Sequence, residues 1–245
     1  MIGVLAGLSP AASVAGEKAR HWSYSGEGGP PHWAELDHGY EACGTGKSQS
    51  PIDIRSRDVR KETLPALQFD YRSTPLRIVD NGHTIQVNVG PGSSLKVGGE
   101  RYELVQFHFH HPSEERIDGK GFDMVVHLVH RNSKGQLAVV AVPIRSGNRN
   151  ALLATLSSHL PKQKEQVTEV QGVTIDPAAL LPSDHGYYAY SGSLTTPPCT
   201  EGVRWMVLKS PITTSPDEIA TFSALYPNNA RPVQHLNGRQ VLASQ

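Results

Sequence analysis

The sequence carries no excess of charge of either sign. Its 23 basic side chains balance 23 acidic ones over 245 residues, so no global field draws it to nucleic acid or to an anionic lipid surface. Long hydrophobic runs are missing too: the longest nearly apolar stretch, residues 1–8, falls far short of the roughly 20 residues a helix needs to cross a bilayer. Cysteine is scarce. With only Cys43 and Cys199, a thiolate-based metal site is excluded. There is no low-complexity linker, repeat or charge block to mark a domain boundary, so a single domain over residues 18–245 is the economical reading.

Histidine, by contrast, is abundant, at 12 residues. A hydrophobic content of 38% excludes a disordered chain, and 23 glycines with 18 prolines describe a turn-rich globular protein acting on a small substrate. Residues 1–17 read as a leader or residual signal segment. They are small and apolar, and Ser-Val-Ala near their end suits a cleavage site, although the usual basic start is missing. That favours a periplasmic or secreted protein. The two cysteines are then either free buried thiols or a disulfide closing a long loop.

Residues 84–89 (TIQVNV), 104–110 (LVQFHFH), 124–130 (MVVHLVH), 137–144 (LAVVAVPI) and 203–209 (VRWMVLK) are short, rich in β-branched residues and bounded by turn formers. They are expected strands. Two helices are expected, over 151–160 and 216–226, the second with Ser215 as N-cap, Pro216 at its first position and Asp217 and Glu218 complementing its dipole. The fold class is therefore mainly β (α+β), with helices as accessories.

Alternation along a strand puts His108 and His110 on one face, with Phe107 and Phe109 turned to a core on the other. His127 follows in another apolar strand, after an IDGKG turn at 117–121. Three neutral imidazoles suit zinc and leave its fourth tetrahedral position open, as a catalytic site requires. His111 and His130 have the opposite parity and stand apart.

The segments Gln106-Phe107-His108-Phe109-His110, Ser113-Glu114, His127-Leu128-Val129-His130 and Gly192-Ser193-Leu194-Thr195-Thr196-Pro197-Pro198 resemble the α-class carbonic anhydrases. Tyr24, the run Gln49-Ser50-Pro51-Ile52-Asp53, Asn81-Gly82-His83, residues 137–139 and residues 203–205 fall in the family's order, so the resemblance covers roughly residues 20–242. It implies a central, mostly antiparallel twisted β-sheet with a few short peripheral helices and zinc at the bottom of a conical cleft. It also implies reversible hydration of carbon dioxide to bicarbonate by zinc-bound hydroxide, the acidified water for which carbonic anhydrases are themselves the reference case.

By the same resemblance His108, His110 and His127 are the zinc ligands, Thr195 aims the hydroxide with its own proton committed to Glu114, and Gln106 braces His108. Val129, Val139, Leu194, Val203 and Trp205 form the apolar wall for carbon dioxide, the Thr195 amide holds a substrate oxygen, and Thr196 helps bind bicarbonate. His83 is the proton shuttle, with Tyr24, Asn81 and Gln86 ordering the waters that lead to it. Cys43 and Cys199 match a disulfide of exported bacterial members. Sulfonamides and anions are expected inhibitors, and the protein is expected to be a monomer or homodimer.

Two positions depart from the pattern. The family commonly has a glutamate two residues before the third histidine, where this chain has Val125, so the expectation is that His127 lacks its outer partner and holds zinc more weakly. Glu115 stands where many animal members have a histidine in a buried network with the positions of Ser50 and Tyr190, and a buried carboxylate there needs partners. Two other functions share these residues: a catalytically silent carbonic-anhydrase-like binding domain, which would have lost ligands, and a zinc-binding or storage protein, which would show a flexible His-rich tract. The sequence has neither feature.

Overall fold

The computed structural model describes residues 21–245; the expected leader lies outside them. Short β-branched and aromatic stretches, broken every few residues by glycine, proline or asparagine, form fifteen strands among the described residues. They are β1 (Asp53–Ile54), β2 (Arg60–Glu62), β3 (Gln68–Asp70), β4 (Thr74–Asp80), β5 (Ile85–Asn88), β6 (Ser94–Val97), β7 (Glu100–His110), β8 (Arg116–Ile117), β9 (Met124–Arg131), β10 (Leu137–Ser146), β11 (Thr168–Ile175), β12 (Tyr187–Ser193), β13 (Glu201–Leu208), β14 (Ile212–Thr214) and β15 (Leu242–Ser244). Four short α-helices accompany them among the described residues: α1 (Trp33–Leu36), α2 (Ala42–Thr45), α3 (Ala151–Ser157) and α4 (Pro216–Leu225).

Thirteen strands make one twisted sheet whose path runs β11-β4-β5-β7-β9-β10-β13-β12-β15-β2, with β3, β6 and β14 pairing off it. Its pairs are antiparallel except β10 with β13, β10 with β14 and β15 with β2. The remaining strands, β1 and β8, form a separate parallel pair.

The central strands are apolar on both sides because both faces are covered. From β10, Ala138, Val140, Val142 and Ile144 enter the main core, while Val139 and Ala141 enter a second cluster on the opposite face. β9 divides in the same way: Met124, Val126 and Leu128 join the main core, and Val125 faces the second cluster. That opposite face carries the histidines.

The expected helix over 151–160 ends at Ser157, and the one over 216–226 ends at Leu225. Each stops short of a proline, Pro161 and Pro227, whose ring disfavours helical backbone in the residue before it; Tyr226 is accordingly non-helical, with φ −133° and ψ 79°. The start of α4 is as expected. The Ser215 hydroxyl accepts from the Glu218 amide, and the Glu218 carboxylate accepts from the Ser215 amide.

Candidate metal centre

A bulge between Leu104 and Gln106 sets the face from which the histidines project. Tyr102 and Leu104 point into the main core, and beyond the extra residue so do Phe107 and Phe109, which turns Gln106, His108 and His110 to the other side. His127 on β9 lies directly across from His108 in the register. The rings converge, with centroids 5.1 Å apart for His108 and His110, 5.4 Å for His108 and His127, and 4.7 Å for His110 and His127. One ring nitrogen from each lies within 4.8 Å of the other two.

The outer nitrogens are all engaged. His108 Nδ1 donates to Gln106 Oε1 (2.8 Å), His110 Nδ1 to the Asn229 carbonyl (2.7 Å), and His127 Nε2 to Glu115 Oε1 (3.0 Å). His127 is thus used the other way round, with Nδ1 left facing the centre. The expectation that His127 lacks a partner is corrected: its acceptor comes from the β7–β9 connection and not from its own strand. Glu115, read above as needing partners, has His127 as one.

Tested against a metal, the cluster fits. His110 Nε2 is buried with no hydrogen-bond partner among the described residues, a costly state for a lone imidazole nitrogen that an electron-pair acceptor relieves. Burial, and after it the neighbouring His127, pulls the His108 pKa down to about 3. Burial likewise holds His110 well below its ordinary value. Both rings are therefore neutral, the ligating form. Burial pulls His127 down as well, but the charge and hydrogen bond of Glu115, together with the charge of Glu114, outweigh it and leave its pKa raised. Three imidazoles without a thiolate or a ligating carboxylate suit zinc with an open position.

Glu114 and Thr195 are both buried beside the histidines. Glu114 Oε1 accepts from the Arg231 amide (2.8 Å), while Oε2 lies 3.9 Å from His127 Nδ1. Burial pushes the Glu114 carboxyl up to about 7; Glu115 adds to the rise, and His127, the Arg231 amide and the Thr195 hydroxyl oppose it. Thr195 follows β12 in a tight loop where the Leu194 amide donates to the Thr200 carbonyl (3.0 Å) and the Cys199 amide to the Thr196 carbonyl (2.8 Å).

Val139, Val203 and Trp205 belong to the buried cluster on the histidine face, with Val129 and Leu194 packed against it. Trp205 lies edge-on to His127, centroids 4.9 Å apart, and its indole N–H donates to the Ser193 carbonyl (3.0 Å). Asn81 Nδ2 donates to Gln86 Oε1 (3.3 Å), and Asn81 Oδ1 accepts from the His83 amide (3.0 Å). Gln86 pairs in register with His108. Tyr24 packs edge-on to Trp22 and Trp33. His111 and His130 stay apart, His111 donating to the Pro227 carbonyl (3.0 Å) and His130 held by Tyr71 (2.7 Å). Cys43 and Cys199 form a disulfide joining α2 to the loop after Thr196.

Two structural residues escaped the sequence reading. Asn229, besides accepting from His110, donates through Nδ2 to the His83 carbonyl (3.0 Å) and the Phe109 carbonyl (3.1 Å). Arg231, buried over the Trp33 ring, donates to Gln49 Oε1, the Ser50 carbonyl and the Cys43 carbonyl. In sequence both sit in an undistinguished Pro-Asn-Asn-Ala-Arg-Pro loop. Their one visible signal is an arginine between turn formers, which is usually solvent-exposed.

A model of the family described as eukaryotic-type carbonic anhydrase matches residues 28–245. The chain is 44% identical over 233 residues to a carbonic anhydrase of Nostoc sp., covering 94% of this chain and 88% of the relative. It is 44% identical over 236 residues to a carbonic anhydrase of Pectobacterium carotovorum, covering 96% of each. Among solved structures, the α-carbonic anhydrase of Thermovibrio ammonificans in complex with the inhibitor sulfanilamide has a TM-score of 0.88 at 43% identity, covering 91% of this chain and 98% of that one.

Proposed function

The chain belongs to the eukaryotic-type, or α-class, carbonic anhydrase family, and on that premise we propose that His108 and His110 through Nε2, and His127 through Nδ1, hold a zinc ion. The protein is an enzyme of reversible carbon dioxide hydration. The observation that carries the zinc reading is the convergence of three imidazoles whose outer nitrogens are all committed, one of them with a buried inner nitrogen that nothing among the described residues satisfies. When bound, the metal supplies Lewis acidity that makes a water nucleophilic near neutral pH.

The chain's own residues do the rest. The Thr195 hydroxyl, its proton directed to Glu114, can only accept, so it fixes the attacking oxygen with a lone pair turned to the apolar wall. Carbon dioxide has no hydrogen to donate and little dipole, so Val129, Val139, Leu194, Val203 and Trp205 hold it by shape. The Thr195 amide steadies the oxygen on which charge develops. Thr196 binds the bicarbonate product. Each cycle releases one proton, which leaves over waters ordered by Tyr24, Asn81 and Gln86, past His83 on the rim, to buffer. The disulfide supports an oxidising compartment, periplasmic or extracellular. The same open site takes sulfonamides and small anions.

Zinc content and stopped-flow hydration test this reading together. The expected result is one zinc per chain and a hydration rate that falls to the buffer rate after chelation, returns with zinc and is blocked by sulfanilamide. A purified chain that binds no zinc, or whose hydration survives complete removal of metal, refutes the ligand assignment.

A further inference from the structure

Each imidazole that ligates a metal depends on an acceptor for its second N–H, which fixes the tautomer and the ring's direction. For His108 that acceptor is Gln106, two residues back on the same strand face. The corresponding position for His127 is Val125. It is fully buried, lies on the same face of β9 and packs in the cluster with Ile52, Ala141, Tyr190 and Trp205. The strand therefore offers His127 nothing polar.

The acceptor comes instead from the connection between β7 and β9. Glu115 is fully buried and brings Oε1 to 3.0 Å from His127 Nε2. Its backbone is held on both sides. Ser113 Oγ donates to the Glu115 carbonyl (3.0 Å) and accepts from the Phe122 amide (2.8 Å), closing the base of the connection. Immediately after Glu115, β8 pairs with β1, and the Arg116 amide donates to the Ile52 carbonyl (3.3 Å). The carboxylate is thus placed by two strands outside the main sheet.

We infer that Glu115 is the positioning residue for His127, a carboxylate relocated from the ligand's own strand to the β7–β9 connection, with Val125 as its necessary counterpart. The inference rests on the proposed zinc reading. One N–H can satisfy one acceptor at full strength. A carboxylate at 125 as well as at 115 sets two buried anions around a single donor, and the one left over bears an unpaid desolvation cost. Glu115 with Val125 is therefore a matched pair. Its effect is to hold His127 as the Nε2–H tautomer with the Nδ1 lone pair aimed at the centre, and to place negative charge next to a cationic metal without ligating it. Glu115 Oε2 makes no hydrogen bond among the described residues, so the contact to His127 is the one anchor they give the carboxylate.

The test is the rate at which the zinc-loaded enzyme gives up its metal to excess dipicolinate, followed by a zinc-sensitive dye. Glu115→Gln keeps the shape and an acceptor oxygen but loses the charge; Glu115→Ala loses both. Release is expected to rise about 10-fold for Gln and about 100-fold for Ala, the two ends of the usual range for loss of such a partner. Val125→Glu alone is expected to release zinc no more slowly than wild type, and adding it to Glu115→Gln is expected to bring the rate back toward wild type, as an anion regained from the strand. A purely packing role leaves Glu115→Gln, which has the same shape, at the wild-type rate. The ¹⁵N spectrum of labelled wild-type holoenzyme needs no variant to fold: His127 is expected to be protonated at Nε2.

Wild-type release from Glu115→Gln overturns the inference whatever Glu115→Ala does, as does slower release from Val125→Glu alone, which would mean that His127 has no carboxylate to begin with. Protonation at Nδ1 of His127 overturns it too. A wild-type chain that binds no zinc at all defeats the zinc reading on which the inference stands, so the two failures are told apart.

Discussion

Trp22 lies flat against His83, with ring centroids 3.5 Å apart and planes 8° from parallel. His21 stacks on the same imidazole at 5.0 Å. Burial, followed by the charges of His21 and Lys164 and opposed by Asp80, brings the His83 pKa down to about 4. A ring with that pKa is protonated in only about one molecule in a thousand at neutral pH, a poor match for a proton carrier. His83→Ala should therefore lower kcat in weak buffer by well under the ~100-fold that a matched proton-transfer group supplies. Trp22→Ala, by exposing the ring, should raise the His83 pKa toward 6.5 and make kcat less dependent on added buffer. Proton NMR titration and buffer-dependent stopped-flow rates check both; a wild-type His83 titrating near 6.5 would refute the prediction.

Glu114, the carboxylate to which the Thr195 hydroxyl is directed, is itself fixed by the Arg231 amide. Thr195→Val keeps the volume and removes the hydroxyl. Loss of one preorganised hydrogen bond at the reacting oxygen is expected to reduce kcat by about 100-fold, with zinc content unchanged. Metal analysis beside the kinetics separates the two effects, and retained turnover would remove Thr195 from the chemistry.

The disulfide spans 156 residues and anchors the loop that carries Thr195 and Thr196. Its loss, by reduction or by paired Cys43→Ala and Cys199→Ala replacement, should cost about 2–5 kcal/mol of unfolding free energy. Urea titrations of the oxidised and reduced enzyme measure it. Equal midpoints would show that the bridge contributes nothing to stability.

His130 is buried on the far side of the sheet from the metal ligands, and burial lowers its pKa from 6.5 to about 4. Between those values the unfolded chain takes up a proton that the folded one refuses. The neutral ring's contribution to stability is therefore complete above pH 6.5 and is lost as pH falls toward 4, a change of about 3 kcal/mol. The stability gap between wild type and His130→Gln should shrink by that amount from about pH 7 to about pH 4. Because zinc is common to both proteins, its release at low pH cancels from the difference, and a pH-independent gap would contradict the account.

The parts of the site that were legible in the sequence are those written in local pattern. Strand parity identified His108 and His110 and excluded His111, and the Ser215–Glu218 start of α4 follows from four consecutive residues. β4 and β12 escaped because Pro75 interrupts the first and Gly192 with three serines or alanines dilutes the second, so neither reads as a β-branched run. The bulge at Val105 was also invisible, although it decides which side of β7 faces the metal. Glu115, Asn229 and Arg231 act across separations of 12, 119 and 117 residues, and no window on the chain joins them to their partners. Glu115 shows how a motif comparison misleads: residue by residue it registered one missing carboxylate and one superfluous carboxylate, where three dimensions show Glu115 itself accepting from His127.

The acceptor for His110 is the main-chain carbonyl of Asn229, not a side chain. No exchange of one amino acid for another at position 229 can delete that oxygen. The ligand's orientation is therefore sheltered from point mutation and exposed only to changes in the path of the loop, through insertions, deletions or loss of the amide contacts that pin it. Deep mutational scanning of this segment should find indels far more damaging to metal retention than most single replacements.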